Sequence, residues 1–178
     1  CGIINGLLIT KGKLPPFIAT LGMMSMARGA ALTIAGGKAI SGFPDSLRWI
    51  GIASIPGINL PVQVILMLLL FGIAYYILKY RKLGRCIYSI GGNEEVTRLS
   101  GINVKSYKLI AYIISGVTAA IATIVLTAKL NSAQPIAGYN YELDAIAATV
   151  IGGTSLTGGF GSIWGTLIGA IIMGVIRN

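Results

Sequence analysis

One run of 19 residues without a charged side chain, Leu60 to Leu78, constrains this sequence more than any other feature. At 1.5 Å per residue, a helix of that length extends about 28 Å, enough to cross the hydrocarbon core of a bilayer. Four basic residues follow the run: Lys79, Arg81, Lys82 and Arg85. Because Lys and Arg are retained on the cytoplasmic side of membranes, we expect a transmembrane helix with residues 79–108 in the cytoplasm.

The composition agrees with a membrane environment. Hydrophobic residues make up 54% of the chain, charged residues only 11%, and the mean hydropathy is +0.81. Soluble domains carry about 25% charged residues. Seven of the 14 basic residues lie in residues 79–108, so the net charge of +9 indicates membrane sidedness rather than a nucleic-acid partner. The sequence therefore predicts an all-α, polytopic transmembrane protein in contact with the lipid bilayer and without a nucleic-acid partner.

Further apolar segments complete this prediction. Spans are expected over residues 14–34 and 109–128, while residues 145–156 and 163–176 are shorter. Twelve helical residues extend only about 18 Å, so the last two segments indicate a short or broken helix pair buried inside protein. The intervening residues 35–59 and 129–143 read as loops on the outer side. A short amphipathic turn is expected near residues 47–50, and the basic turn at Lys11–Lys13 falls inside.

The chain begins without Met and both ends lie in or directly after apolar segments, which indicates an internal fragment. We expect residues 1–178 to form a single transmembrane domain with parts missing at both ends. The sequence holds two cysteines, Cys1 and Cys86, and no histidine. That composition excludes a His/Cys zinc site and a histidine catalytic relay, so no metal ligand and no catalytic residue is predicted.

The most specific segment is GGNEEVTRLSGINV, residues 91–104. Asn93 can cap a helix, Glu94 and Glu95 suit its N-terminal turn, and Gly101 can end it. The segment predicts a short helix outside the lipid on the cytoplasmic side. This helix is either an ordinary capped surface helix or a docking element for a cytoplasmic partner.

Glu95 followed six residues later by Gly101, in a cytoplasmic loop, resembles the EAA-type loop of ABC importer permeases, with Val96 and Thr97 at the alanine positions. Three longer strings are more specific: GGNEEVTRLSGINV, KGKLPPFIATLGMMSMARGAAL and LNSAQPIAGYNYELDAIAATVIGGTSLTGGFGSIWGTLIGAIIMGVI. Together they cover nearly the whole chain. They closely resemble the permeases of bacterial ribose-type and other monosaccharide ABC importers.

The resemblance implies a permease that pairs with a second copy in the bacterial inner membrane. It implies cytoplasmic ATP-binding subunits, which use ATP and Mg²⁺, and an extracytoplasmic sugar-binding protein, with no cofactor in this chain. The residues expected to couple the chain to the ATP-binding subunits are Asn93, Glu94, Glu95, Arg98, Gly101, Gly158 and Gly159. The glycine-rich string near Gly158 has no Walker A pattern, and it suits either a tight turn or a gating and docking loop.

Six polar residues are candidates for the substrate pathway: Arg28, Asn131, Gln134, Asn140, Glu142 and Asp144. An intramembrane arginine is costly, so Arg28 either faces a pathway or has a structural role. The three amides either bind sugar hydroxyls or belong to loops. The two carboxylates of the string YELDAI are expected to offset a helix dipole. Alternatively, they line an outer vestibule or contact the sugar-binding protein. Paired carboxylates also occur in glycoside hydrolases, but we do not expect that activity here.

Gly161, Gly165 and Gly169 recur every fourth residue and leave one helix face without side chains. Such a face lets another helix approach closely, either within the subunit or between two subunits. The sequence as a whole predicts the membrane-spanning subunit of an ABC importer for ribose or a similar monosaccharide. A branched-chain amino-acid permease is the related alternative. A membrane-embedded enzyme is the alternative of another class, and the chain is not expected to be an enzyme.

Overall fold

The computed structural model describes residues 1–53 and 60–178, which form nine α-helices and two very short strands. In chain order the elements are α1 Gly2–Thr10, α2 Pro16–Ala35, β1 Ile40–Ser41, α3 Asp45–Ile52, α4 Val62–Tyr80, α5 Lys82–Gly92, α6 Glu94–Leu99, α7 Val104–Leu130, β2 Ser132–Ala133, α8 Tyr141–Ile151 and α9 Ile163–Arg177. The expected all-α fold class is confirmed.

Three helices, α2, α4 and α7, are long and apolar enough to cross a membrane, with mean hydropathies of 1.4, 2.1 and 2.3. Their apolar side chains point outward: Leu69 in α4 is 54% exposed and Ile124 in α7 is 48% exposed. Apolar surface of this extent marks contact with lipid or with other protein. The three predicted spans are therefore confirmed as helices of membrane-crossing length.

The ends of these helices follow from local chemistry. Pro16 is the first residue of α2, where the missing amide hydrogen costs nothing, and Gly36 follows the helix at φ 57°. Helix α7 begins at Val104, before the predicted Leu109, because the Asn103 side chain accepts a hydrogen bond from the Ser106 amide at 3.3 Å. This capping signal extends the helix out of the apolar run.

The two predicted outer loops contain more structure than expected. Helix α3 confirms the amphipathic turn near residues 47–50, and residues 54–59 of that loop lie outside the described residues. Strands β1 and β2 pair antiparallel, with Ile40 opposite Ala133 and Ser41 opposite Ser132. Two residues are too few to show the alternation by which a strand is recognised in a sequence.

The chain divides into two compact units, of which the first comprises Cys1–Leu68 and Lys108–Ala137. In this unit α1 crosses α7 closely. A Cβ placed on Gly2 would lie 2.5 Å from the Tyr112 carbonyl oxygen and 3.2 Å from the Gly116 Cα. Glycines at such a crossing let two helix backbones approach one another.

The second unit comprises Leu69–Tyr107 and Gly138–Asn178. Within it α8 and α9 form an antiparallel helical hairpin, and α5 packs on α6. The basic segment over residues 79–108 contains, besides the predicted short helix, the amphipathic helix α5, which was not predicted. Leu83, Cys86 and Ile90 recur at helical spacing, and Cys86 is only 4% exposed.

Candidate functional site

Helix α6 begins at Asn93, whose side-chain oxygen accepts a hydrogen bond from the Val96 amide at 3.0 Å. Glu94 and Glu95 lie in the first turn, where their charge is favourable to the helix dipole. Gly101 follows the helix at φ 80°, a conformation that glycine adopts without strain. The predicted capped helix is therefore present with its predicted cap and its predicted end.

Thr97 fastens α6 to α5. Its side chain is nearly inaccessible, at 3% exposed. The hydroxyl oxygen lies 2.7 Å from the Asn93 carbonyl, to which it donates, and 3.2 Å from the Ser89 hydroxyl of α5. Because α6 has only six residues, this side-chain contact with α5 is needed to hold it in place.

The outer surface of α6 carries exposed apolar side chains between charged ones. Val96 is 57% exposed and Leu99 is 78% exposed. Glu95 and Arg98 form a surface ion pair at 3.7 Å, which contributes little to stability. Val96 and Leu99 are therefore accessible for contact with another protein.

The turn of the α8–α9 hairpin rests on the end of α5. A Cβ placed on Gly91 would lie 2.5 Å from the Gly159 amide nitrogen, and one placed on Gly158 would lie 2.8 Å from the Gly91 carbonyl oxygen. The Tyr88 hydroxyl of α5 donates to the Gly161 carbonyl at 3.0 Å. The structure thus brings the predicted Gly158–Gly159 turn against the residues directly before Asn93.

This turn also exposes apolar side chains: Leu156 is 78% exposed and Phe160 is 66% exposed. We define the candidate docking surface as Val96 and Leu99 of α6 together with Leu156 and Phe160 of the turn, and call it the docking surface below. The coupling residues predicted from the sequence in these segments are charged residues, Asn93 and glycines, and none of these four side chains was among them. The available signal was their apolar character within segments predicted to lie outside the lipid.

The three spaced glycines of the second unit all face α8 or the turn that follows it. A Cβ on Gly165 would collide with the Gly152 carbonyl oxygen, and one on Gly169 with the Ala148 carbonyl oxygen. A Cβ on Gly161 would lie 3.0 Å from the Thr154 side chain. In this structure the glycine face is therefore occupied by the same chain.

The other end of the hairpin is closed by an ion pair. The Arg177 guanidinium in the last turn of α9 binds the Asp144 carboxylate in the first turn of α8, and it lies 4.8 Å from the centroid of the Tyr141 ring. Asp144 also occupies the helix N-terminus, as predicted from the dipole. Its pairing with Arg177, 33 positions away, had no signal in the sequence.

The remaining pathway candidates fall in different units. Arg28 in α2 is half-buried, Asn131 and Gln134 flank β2, and all three belong to the first unit. The Asn131 side-chain oxygen is buried and accepts no hydrogen bond, so it could accept one from a ligand or a water molecule. Asn140, at φ 67°, and Glu142 belong to the second unit, directly before and within the first turn of α8.

No group of three histidine, cysteine, aspartate or glutamate side chains that could hold a metal ion occurs within residues 1–53 and 60–178. Cys86, a potential soft ligand, is buried and free.

Comparison with curated proteins identifies several relatives. The chain is 48% identical over 181 residues to the ribose import permease protein RbsC of Haemophilus influenzae, covering 99% of this chain and 55% of the relative. It is 42% identical over 177 residues to the D-allose transport system permease protein AlsC of Escherichia coli, covering 99% and 54%. It is 38% identical over 176 residues to the L-arabinose transport system permease protein AraH of Escherichia coli, covering 98% and 53%.

The chain thus spans little more than half the length of these relatives. No solved structure matches it significantly. These relatives confirm the resemblance to monosaccharide import permeases that was predicted from the sequence motifs. Residues 1–178 also match, without a gap at either end, the family described as branched-chain amino acid transport system / permease component. Because this match covers all 178 residues, the chain, which is a multi-pass membrane protein, belongs to this permease family.

Proposed function

We propose that this chain is part of the membrane-spanning subunit of an ABC importer that carries ribose or a similar monosaccharide across the bacterial inner membrane. The observation that carries the proposal is the 48% identity to ribose import permeases over nearly the whole chain. The allose and arabinose permeases follow at 42% and 38%. The branched-chain amino-acid alternative is favoured by the family description alone.

The proposed mechanism is alternating access driven from the cytoplasm. ATP binds to separate subunits that contact the docking surface on α6 and the hairpin turn. Support comes from Val96 and Leu99, which face solvent on a helix held by a side-chain cap and by the buried Thr97. Further support comes from the basic residues that follow α4, since they favour a cytoplasmic position for residues 79–108.

In the proposed mechanism the α8–α9 hairpin transmits movement from α5 and α6. Its turn contacts α5 through Gly91 and Gly158, and its far end is joined by the Asp144–Arg177 ion pair. Helix α8 extends about 17 Å and α9 about 23 Å, so the pair moves as a short rigid body rather than as two full spans. Movement of α5 and α6 by the ATP-binding subunits would then displace the hairpin.

The proposed assembly contains a second permease copy, two ATP-binding subunits and an extracytoplasmic sugar-binding protein. The chain itself has no enzymatic role in this proposal, and the permease copies form a homodimer. Native mass spectrometry of the full-length permease in detergent should report two copies. A mass corresponding to one permease copy with both ATP-binding subunits bound would contradict the homodimer.

The transport proposal is tested with the full-length permease and its partner subunits in proteoliposomes. Radiolabelled ribose, allose, arabinose and leucine are offered outside, with ATP inside. We expect ATP-dependent uptake of a monosaccharide and none of leucine. Uptake of leucine with no uptake of any sugar would overturn the proposal in favour of the branched-chain alternative.

The docking proposal is tested with exposed residues of α6. Leu99→Asp removes no internal packing, because Leu99 is 78% exposed, and should weaken the binding of the ATP-binding subunits and lower uptake at least about tenfold. Glu95→Lys places a second positive charge beside Arg98 and should also lower uptake. Membrane insertion and the yield of folded permease should stay unchanged.

Gly101 requires a matched pair because its backbone is left-handed. Gly101→Asn keeps a residue that tolerates this conformation, whereas Gly101→Trp adds bulk at a position with open space around it. We expect coupling to survive the first change and to be lost with the second. Full transport in Gly101→Trp, Glu95→Lys and Leu99→Asp together would remove α6 from the coupling site.

A further inference from the structure

We propose that a cavity at the end of α4 binds the phosphate group of an anionic membrane lipid. The cavity has a volume of about 320 Å³ and lies within the second unit, between the end of α4, α5 and the start of α9. Its wall includes Tyr75, Lys79, Tyr88, Ser162 and Ile163. None of the described residues that line it is acidic.

The wall carries a positive charge and free hydrogen-bond donors. The Lys79 ammonium donates one hydrogen bond to the Tyr75 hydroxyl at 2.6 Å, which leaves two of its three hydrogens for another acceptor. Ser162 caps α9 by accepting from the Gly165 amide at 3.3 Å, so its own hydroxyl hydrogen points elsewhere. Ile163 opens α9, where backbone amides have no acceptor within the helix. These groups together suit a phosphate.

Aromatic rings in the cavity wall and next to it favour a position at the level of lipid headgroups. The Tyr75 and Trp164 ring centroids are 5.7 Å apart, as are those of Tyr76 and Tyr80. The Lys79 nitrogen lies 5.0 Å from the Tyr75 ring centroid. Tyrosine, tryptophan and basic side chains gather at the membrane–water interface, which favours a lipid phosphate over free phosphate as the occupant. This step rests on the proposed topology, which puts the end of α4 at the cytoplasmic leaflet.

The test uses the full-length permease in nanodiscs of phosphatidylglycerol and phosphatidylcholine, followed by native mass spectrometry of the lipid that remains bound. One basic residue at a membrane surface changes lipid attraction about fivefold, so Lys79→Gln should lower retained phosphatidylglycerol by about that factor. Lys79→Arg keeps the charge and should retain the lipid.

Lys82→Gln is the matched control, because it removes the same charge from the start of α5 without touching the wall of the cavity. Lys129→Gln, in the last turn of α7, is a second control outside the unit that holds the cavity. All three variants lose the diffuse attraction of one surface charge, but only Lys79→Gln removes a group from the cavity wall, so it should retain less phosphatidylglycerol than either control. An equal loss in Lys79→Gln and Lys82→Gln would overturn the cavity site and leave only a diffuse surface charge.

Sodium phosphate distinguishes the two sources of the phosphate group. We expect it to displace no more lipid than sodium chloride at equal ionic strength. Displacement by inorganic phosphate alone would overturn the lipid assignment. Because lipid retention is measured without ATP or sugar, a failure here leaves the transport proposal standing, and a failure of uptake leaves the lipid result standing.

Discussion

The close contact between α8 and α9 yields the sharpest prediction. Gly165→Ala adds a single methyl group where a Cβ would collide with the Gly152 carbonyl oxygen. The obstacle is backbone at the C-terminal end of α8, facing the first turn of α9, so relief requires that the two helices separate at this end. Overpacking of this kind costs about 1–3 kcal/mol of unfolding free energy.

Gly174→Ala is the matched control, because it makes the same change in the same helix at a position with no atom within 4 Å of the new Cβ. Replacing glycine by alanine inside a helix stabilises by about 1 kcal/mol, and both variants share this gain. The difference between the two free energies of unfolding therefore isolates the packing cost. We expect Gly165→Ala to be less stable than Gly174→Ala by about 1–3 kcal/mol, up to roughly a hundredfold in the folded-to-unfolded ratio.

The assay is equilibrium unfolding of the full-length permease in mixed micelles, followed by the fluorescence of Trp164 in α9 against a background in which Trp49 and every other tryptophan are replaced by Phe. Gly165→Leu should prevent folding or transport. Leu167→Ile preserves side-chain volume and should cost less than about 1.5 kcal/mol. Equal stability of Gly165→Ala and Gly174→Ala would refute the close approach of the two helices and the role of the hairpin as a rigid body.

Three further predictions concern the region that we propose to be cytoplasmic. Gly91→Ala places a methyl group 2.5 Å from the Gly159 amide nitrogen and should lower uptake about fivefold or more through a cost of about 1–3 kcal/mol, whereas Gly92→Ala, with nothing within 4 Å, should transport normally. Asn93→Ala removes the cap of α6 and should speed hydrogen exchange of the α6 amides through a loss of about 1 kcal/mol; unchanged exchange would contradict the capping role. Ser100→Cys, in a background without the native cysteines, should react with an impermeant maleimide only in inside-out vesicles; labelling in intact cells would reverse the topology.

Much of the helical architecture could be predicted from the sequence because membrane spans have a strong signal. The spans α2, α4 and α7 are long, uncharged or nearly so, and bounded by proline, glycine or basic residues. Helix α6 could also be predicted, since the cap at Asn93 and the end at Gly101 are local features that act within a few residues.

The rest escaped prediction for two physical reasons. Helix α5 was not predicted because the cluster of basic residues after α4 drew attention to charge rather than to periodicity, although Leu83, Cys86 and Ile90 already mark one helical face. The Asp144–Arg177 pair, the β1–β2 pairing and the contact of Gly91 with Gly159 join residues far apart in sequence. Such contacts depend on how the helices are arranged, and no local pattern encodes them.

Asn93 has a mechanical consequence because it ends α5 and begins α6 with no residue between them. The junction therefore contains no linker residue, and any change of angle between the two helices requires a change in the dihedral angles of Asn93. These angles are φ −157° and ψ 108° in the structure. The Thr97–Ser89 hydrogen bond braces the junction from the side. A force on α6 therefore rotates α5, because no flexible linker separates the two helices. One residue inserted at this junction would turn the direction of α6 about the α5 axis by about 100°, the rotation per residue of an α-helix.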